Sequence, residues 1–334
     1  MSAALHLRAA LKRGALVALA NWPLVIVQFA ADSLYKLTLA VPVLGGVLVV
    51  SVLAGADAGS MLSRGMTNAA QNVFESLTGA PVALGCFLLA LGLVAAGAAV
   101  LMWVTRAGMV PLLVAGERAA PDPHRMLMTG EGLGLARACT FATFIVGLRT
   151  FGRRYIWVGI GLVVSYIAIG AVFAVVIVGT YRLSDRGGWS VAWPLVALVV
   201  AFAAVVAIAI VNLLTDLLQV VIACRDCGLR EAARWLRAFL VHDARQVAGV
   251  FGVVLALVVL ATLASILVVA SLGLIAFVPV IGVLVVVPLQ AAAWFVRGVV
   301  FEYVDVTALT AYISQHRRFA EGEPAPVAGW RQPT

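Results

Sequence analysis

Charge is what this sequence has least of. Asp, Glu, Lys and Arg make up 11% of its 334 residues, against 63% hydrophobic ones. A water-soluble domain carries about 25% charged and 45–50% apolar residues. No core of this size hides so much apolar surface, so a soluble globular domain is excluded and a lipid bilayer is the natural solvent. Only four cysteines are present, which excludes a secreted disulfide framework. The four histidines, His6, His124, His242 and His316, all fall outside the apolar runs. Metalloprotease, P-loop and nucleophile-elbow patterns are absent. Acidic and basic residues are missing from the centres of the clear runs, where an ion-coupled transporter would need them.

What is present is long apolar sequence. Crossing about 30 Å of hydrocarbon takes about 20 helical residues. Uncharged runs cover residues 37–56, 76–105, 155–181, 187–215 and 246–296. The first four each fit one span. The last would make a helix of about 76 Å, and Ser271, Gly273 and Pro279 offer a turn near its middle. It reads as a hairpin of two spans, giving an all-α polytopic protein of about six transmembrane helices.

Six spans place 20 of the 23 Lys and Arg on one side and three, Arg64, Arg182 and Arg186, on the other. The positive-inside rule makes the rich side cytoplasmic, with both termini on it. The expected home is the bacterial inner membrane. The net charge of +8 then reflects topology and contact with anionic headgroups, with no nucleic-acid partner. Arg8, Lys12 and Arg13 precede the apolar stretch 14–31, as in a signal peptide. Pro23 interrupts that stretch, and a cut after Ala31 would put Phe29 where a small residue is wanted, so the segment is read as retained. It either lies on the membrane or forms part of a long, bent first helix; Pro23 and Pro42 break the pattern, and Asp32 and Lys36 stand one turn apart.

Basic amphipathic segments precede three spans. In 229–241, Arg230, Arg234 and Arg237 share one helical face and Ala232, Trp235, Leu236, Phe239 and Leu240 the opposite one. Gly228 offers a stop for the helix before it. Phe141, Phe144, Ile145 and Leu148, with Arg149 and Arg153, repeat the pattern, and Leu7, Leu11, Arg8 and Lys12 give a weaker version. Such helices lie in the cytoplasmic interface with apolar side chains in lipid and arginines among headgroups, or else bind a partner helix. The chain thus reads as one transmembrane domain, 1–320, built from three units of interfacial helix, span out and span back (about 1–118, 119–228 and 229–320). Residues 55–80 form a polar outer loop, and Pro324, Pro326 and Pro333 mark a disordered cytoplasmic tail, 321–334.

Candidate sites are few. Arg106, Asp216 and Arg297 end three spans at equivalent edges, where they either form an Arg–Asp–Arg network or simply reach water. Cys224 and Cys227 form a CxxC, but at a helix C-terminus, whose dipole opposes a thiolate. No second ligand pair completes a zinc site, so incidental thiols are expected, with no metal, cofactor or catalytic residue. Asn212, Gln290, Ser165, Tyr166 and Ser265 suit interhelical hydrogen bonds. Val41-Pro42-Val43-Leu44-Gly45 and Val278-Pro279-Val280-Ile281-Gly282 are alike, as paired breaks in a transporter can be, though chance suffices in a chain rich in Val and Gly.

The block Arg225-Asp226-Cys227-Gly228-Leu229-Arg230-Glu231-Ala232, leading into a basic helix and a fresh span, resembles one found in bacterial six-helix proteins related to the membrane domain of glycerophosphodiester phosphodiesterases. Phe301-Glu302-Tyr303-Val304-Asp305-Val306-Thr307 is similar to the Tyr-x-Asp-x-Arg-like motif after their last span, with Thr307 in place of Arg. The resemblance covers residues 200–315. It implies a six-helix α-fold and transfers no phosphodiesterase activity, because the soluble catalytic domain and its acidic metal ligands are missing. The expected function is a non-enzymatic scaffold or accessory subunit of a membrane assembly, with other membrane subunits as partners. The alternative is a carrier or channel for a lipid or other apolar solute.

Overall fold

In the computed structural model, residues 2–53, 81–121, 129–187, 193–275 and 281–322 are described. The expected outer loop, the turn at Pro279 and the tail beyond Gly322 lie outside them. Every regular element among the described residues is helical: α1 (Ser2–Ala20), α2 (Trp22–Leu53), α3 (Pro81–Ala119), α4 (Gly130–Leu135), α5 (Phe141–Gly187), α6 (Trp193–Arg225), α7 (Leu229–Ile275) and α8 (Ile281–Gly322). Glu321, expected in the tail, still belongs to α8 and pairs with Arg317 one turn earlier at 3.2 Å.

Among the described residues, four helices are long and apolar enough to cross a membrane: Leu89–Ala119, Phe141–Arg182, Trp193–Arg225 and Leu229–Leu272. A fifth follows if Leu7–Ala20 and Trp22–Thr38, which bend apart at Asn21, count as one broken span. The bend answers where the first segment breaks. Pro23 sits in the first turn of α2, where a missing N–H costs nothing, and α2 then continues through Pro42.

The chain divides into two compact units, Met1–Ile26 with Arg106–Thr334, and Val27–Thr105. In the smaller unit, Lys36 Nζ meets Asp32 Oδ2 at 2.5 Å, and Thr38 and Thr105 each return a hydroxyl proton to the carbonyl four residues back. Such back-bonding keeps hydroxyls satisfied where water is absent.

The larger unit holds the packed core. Leu24, Ala107, Met109, Val110, Leu113, Leu217, Val220, Ile222, Ala232, Phe239, Val250, Leu309 and Ile313 are all buried in one cluster. Part of the apolar face of each amphipathic segment turns onto it. Leu7 and Leu11 of α1, Phe144 and Leu148 of α5, and Trp235 and Leu240 beside the buried Ala232, Leu236 and Phe239 of α7 pack against the same cluster. Protein covers these side chains, while Phe141 of the α5 segment and Val241 at the end of the α7 segment stay exposed. A 100° apolar stripe states that a face needs cover, not which apolar medium supplies it. The basic segment of α5 is continuous with the span that follows, whereas the one in α7 is set off from its span by a kink at Asp243 (φ −118°, ψ 22°).

Small residues let the helices close up. A Cβ on Gly14 would stand 2.6 Å from the Thr307 carbonyl oxygen of α8, and one on Gly108 2.5 Å from the Phe144 ring. At the Asn21 break, one buried amide ties the end of α1 to the segment 136–139. Asn21 Nδ2 donates to the carbonyls of Val17 (3.0 Å) and Ala136 (2.8 Å), and Oδ1 accepts from the amides of Ala138 (2.9 Å) and Cys139 (3.1 Å). All four bonding positions of the amide are filled. The connection from α6 to α7 turns at Asp226 in the left-handed region (φ 46°), one of the few non-glycine types that tolerate it, rather than at Gly228.

Asn21→Ala is expected to lower unfolding stability by at least about 2 kcal/mol, since it strands buried amides and carbonyls. Gly161→Ala, where an added methyl meets nothing, should leave stability unchanged or raise it. Thermal unfolding in detergent checks both.

Candidate functional site

Polar side chains enter the core of the larger unit in two layers. In the first, the Arg106 guanidinium of α3 bridges two carboxylates, Asp216 of α6 and Asp305 of α8, the latter at 3.0 Å. All three are largely shielded, with side chains 17%, 22% and 33% exposed. The expected pairing of Arg106 with Asp216 is thus met geometrically, but its third member is Asp305. Arg297 stands two turns and about 12 Å earlier along α8, exposed, with its guanidinium 5.3 Å from the centre of the Phe301 ring. Matching the first charge after each span puts Arg297 in the set; the crossing of α8 over α3 and α6 selects Asp305 instead. Tyr303, in the same Tyr-x-Asp segment, donates to the Ala15 carbonyl at 2.9 Å and fastens α8 to α1.

The second layer centres on Glu117 near the end of α3, whose side chain has no exposure to solvent. Arg13 Nε of α1 donates to Oε1 at 2.8 Å and Arg317 Nη1 of α8 to Oε2 at 3.1 Å. Arg13 spends its remaining donors on the carbonyls of Glu117, Ala120 and Pro121 at 2.8–3.1 Å. These carbonyls close α3, where four backbone acceptors otherwise lack partners. Sequence reasoning missed Glu117 and Asn21: Glu117 lies on a mixed polar stretch of helix, and Asn21 is an uncharged polar residue in the apolar stretch 14–31, at the break between α1 and α2.

Beside this layer lies a cavity of about 80 Å³ between α3, α6 and α8, lined by Glu117, Arg118, Cys224, Arg225, His316 and Arg317 among others. Arg118 Nη2 donates to the Cys224 carbonyl at 3.0 Å, and the Arg225 guanidinium lies 3.5 Å from the centre of the Trp235 ring. His316 is 1% exposed, edge-on to Phe239, and neither ring nitrogen has a hydrogen-bond partner. Burial, assisted by Arg225, brings its pKa down from the ordinary 6.5 to about 4.

Cys224 and Cys227 are free thiols, Cys227 buried, and burial raises the Cys227 pKa. A raised pKa disfavours the reactive thiolate. Among the described residues no three His, Cys, Asp or Glu side chains gather as metal ligands. Arg149, Arg153, Arg230, Arg234 and Arg237 all stand exposed on the outer surface of α5 and α7. No protein-family model, curated protein or solved structure matches this chain.

Two outcomes follow. Glu117→Gln leaves the buried Arg13 guanidinium without its counter-charge and Arg317 with Glu321 alone, and should cost about 3–5 kcal/mol, the usual result of halving a buried pair. Detergent unfolding of the variant against the parent measures it. His316 has its folded pKa below its unfolded one, so the unfolded chain takes up the proton first as pH falls. Stability should therefore decline from about pH 6.5 to about pH 4 through this group, and His316→Phe should flatten that part of the unfolding-versus-pH curve.

Proposed function

We propose that the chain is a six-span inner-membrane protein of bacterial type, with cytoplasmic termini, acting as a non-enzymatic scaffold or accessory subunit of a membrane assembly. The observation that carries this reading is the condition of the spans. In the most apolar stretches of Phe141–Arg182, Trp193–Arg225 and Leu229–Leu272, no residue is buried by the rest of the chain. Leu195, Leu198, Val199, Phe202 and Val205 of α6 are each more than half exposed. In lipid there is no hydrophobic gain from covering such side chains, and helices associate through packing and interhelical polar contacts. One such contact is internal, Tyr166 of α5 to Asn212 of α6. The other faces are free for lipid and for helices of another subunit. By contrast, the basic end of the same helices is a closed, ionically cross-linked body, suited to holding a fixed geometry.

The resemblance of residues 200–315 to the membrane domain related to glycerophosphodiester phosphodiesterases fits this reading. The exposed Arg149, Arg153, Arg230, Arg234 and Arg237 supply the contact to anionic headgroups on the cytoplasmic face.

Photocrosslinking residues placed at Leu198, Phe202 and Val205 in native membranes test the assignment. A discrete adduct to another polypeptide, retained through mild solubilisation, is expected at one or more sites. Lipid adducts alone at all three, with a monomer after solubilisation, overturn it.

A further inference from the structure

Arg297 stands outside the Arg106–Asp216–Asp305 layer, and its depth along α8 follows from α5 and α6. The far ends of those two helices meet through Tyr181 and Trp193, edge-on with ring centres 5.5 Å apart. Amphipathic rings of this kind collect at membrane–water interfaces. From Trp193 to Asp216, α6 runs 23 residues without a charge. That is about 35 Å of helix, one hydrocarbon core with its edges. Asp216 therefore marks the second edge, and Arg106 holds Asp305 of α8 at the same level. Arg297 lies eight residues nearer the apolar end of α8, about 12 Å along its axis, on the hydrocarbon side of that edge.

The surroundings of Arg297 match this depth. Trp294, Phe295, Val296 and Val300 beside it are 42–59% exposed. The guanidinium is thus a charge on an apolar outer surface, and it leans one turn back toward the body, 5.3 Å from the centre of the Phe301 ring. A ring face attracts a cation but is no counter-charge. Arg13, Arg106 and Arg154 each meet a carboxylate; among the described residues, Arg297 meets none. An arginine at such a depth draws a headgroup or water to itself, its stem lying in hydrocarbon and its head turned to the edge.

We propose that Arg297 and Trp294 form a binding site for the phosphate of an acidic phospholipid, in the leaflet next to the basic end of the molecule. The guanidinium fork matches phosphate oxygens in two parallel hydrogen bonds. Trp294, one turn deeper, sits where the ester groups of the lipid lie, and Val296 and Val300 border its acyl chains. An acidic lipid is the occupant because its net negative charge answers the guanidinium, which a zwitterionic headgroup answers only in part. The site rests on the proposed topology, in which the apolar end of α8 is a span, and is independent of the scaffold role.

The full chain is reconstituted in phosphatidylcholine nanodiscs with increasing phosphatidylglycerol and followed by thermal unfolding. High salt screens the exposed basic surface and leaves a charge at hydrocarbon depth little affected. A saturable rise in unfolding temperature is expected. Arg297→Gln should raise the half-saturating phosphatidylglycerol fraction about tenfold, the worth of one charge-assisted hydrogen bond. Arg297→Lys should keep part of the response, and Lys12→Gln, an exposed charge on α1, all of it. No saturable rise, or a rise that Arg297→Gln leaves intact, overturns the site. A photoreactive residue at Val296 identifies the occupant: a phospholipid adduct supports the proposal, and an adduct to another polypeptide overturns it while favouring the assembly role. Reaction of Leu289→Cys with a water-soluble maleimide, above the level of the parent, overturns the topology beneath both.

Discussion

The Glu117 carboxylate sits where no water reaches it, and an isolated ion there would cost several kcal/mol. Arg13 and Arg317 meet it from opposite sides, which requires α1 and α8 to flank the end of α3 at fixed height. Arg13 is itself buried, and its other N–H groups cap the carbonyls that α3 leaves open. One guanidinium thus answers both a buried charge and a helix terminus. The close approach of α1 to α8 at Gly14, and the Tyr303 bond to Ala15, are consequences of the same convergence. About 16 Å further along α3, Arg106 gathers α6 and α8 through Asp216 and Asp305. Between these two ionic layers lie Ala107, Met109, Val110 and Leu113, fully buried. The layers set which helices meet and in what register, and the apolar residues between them supply most of the cohesion.

Long helices pass from this body into a different environment, α7 with a kink at Asp243. Along α7, Ala232, Phe239, Val247 and Val250 are buried in protein, while Leu257, Leu260, Leu263 and Leu267 are exposed. The first part is amphipathic and the second is apolar all round. A helix apolar on every face satisfies its own backbone and needs only a hydrocarbon surrounding, which is the requirement for crossing a bilayer.

Much of this was legible in the residues. The all-helical class followed from apolar runs of spanning length, and Arg106 and Asp216 were singled out because each is the first charge after a long uncharged stretch. Asp305 was quoted only as part of a short motif, because its role depends on how α8 crosses two helices far away in sequence. Glu117 and Asn21 were illegible for the same reason: a single polar residue, on a mixed helix or inside an apolar stretch, announces neither burial nor partner. The three amphipathic segments were found, but what covers their apolar faces could not be read from periodicity. Lipid and a protein core reward the same side chains in the same order.

That last ambiguity has a physical consequence for how the proposed topology would hold the membrane. Were the apolar faces of these segments in lipid, the basic helices would be inserted, and attachment would scale with buried apolar area. With Leu236 and Phe239 inside the protein, Arg230, Glu231, Arg234 and Arg237 face outward on that stretch of α7 beside the exposed Leu229 and Val241, and Arg149 and Arg153 do so on α5 beside the exposed Phe141 and Val146. Hydrocarbon does not admit such charges at acceptable cost, so the ionically layered body belongs at the level of the headgroups or in the water beyond them. Its contact with lipid is then electrostatic and weakens with salt, over a distance of about 10 Å at 0.1 M ionic strength. In the proposed topology the spans would anchor the protein, and the basic surface would do something more limited: set the height and tilt of this body against an anionic surface.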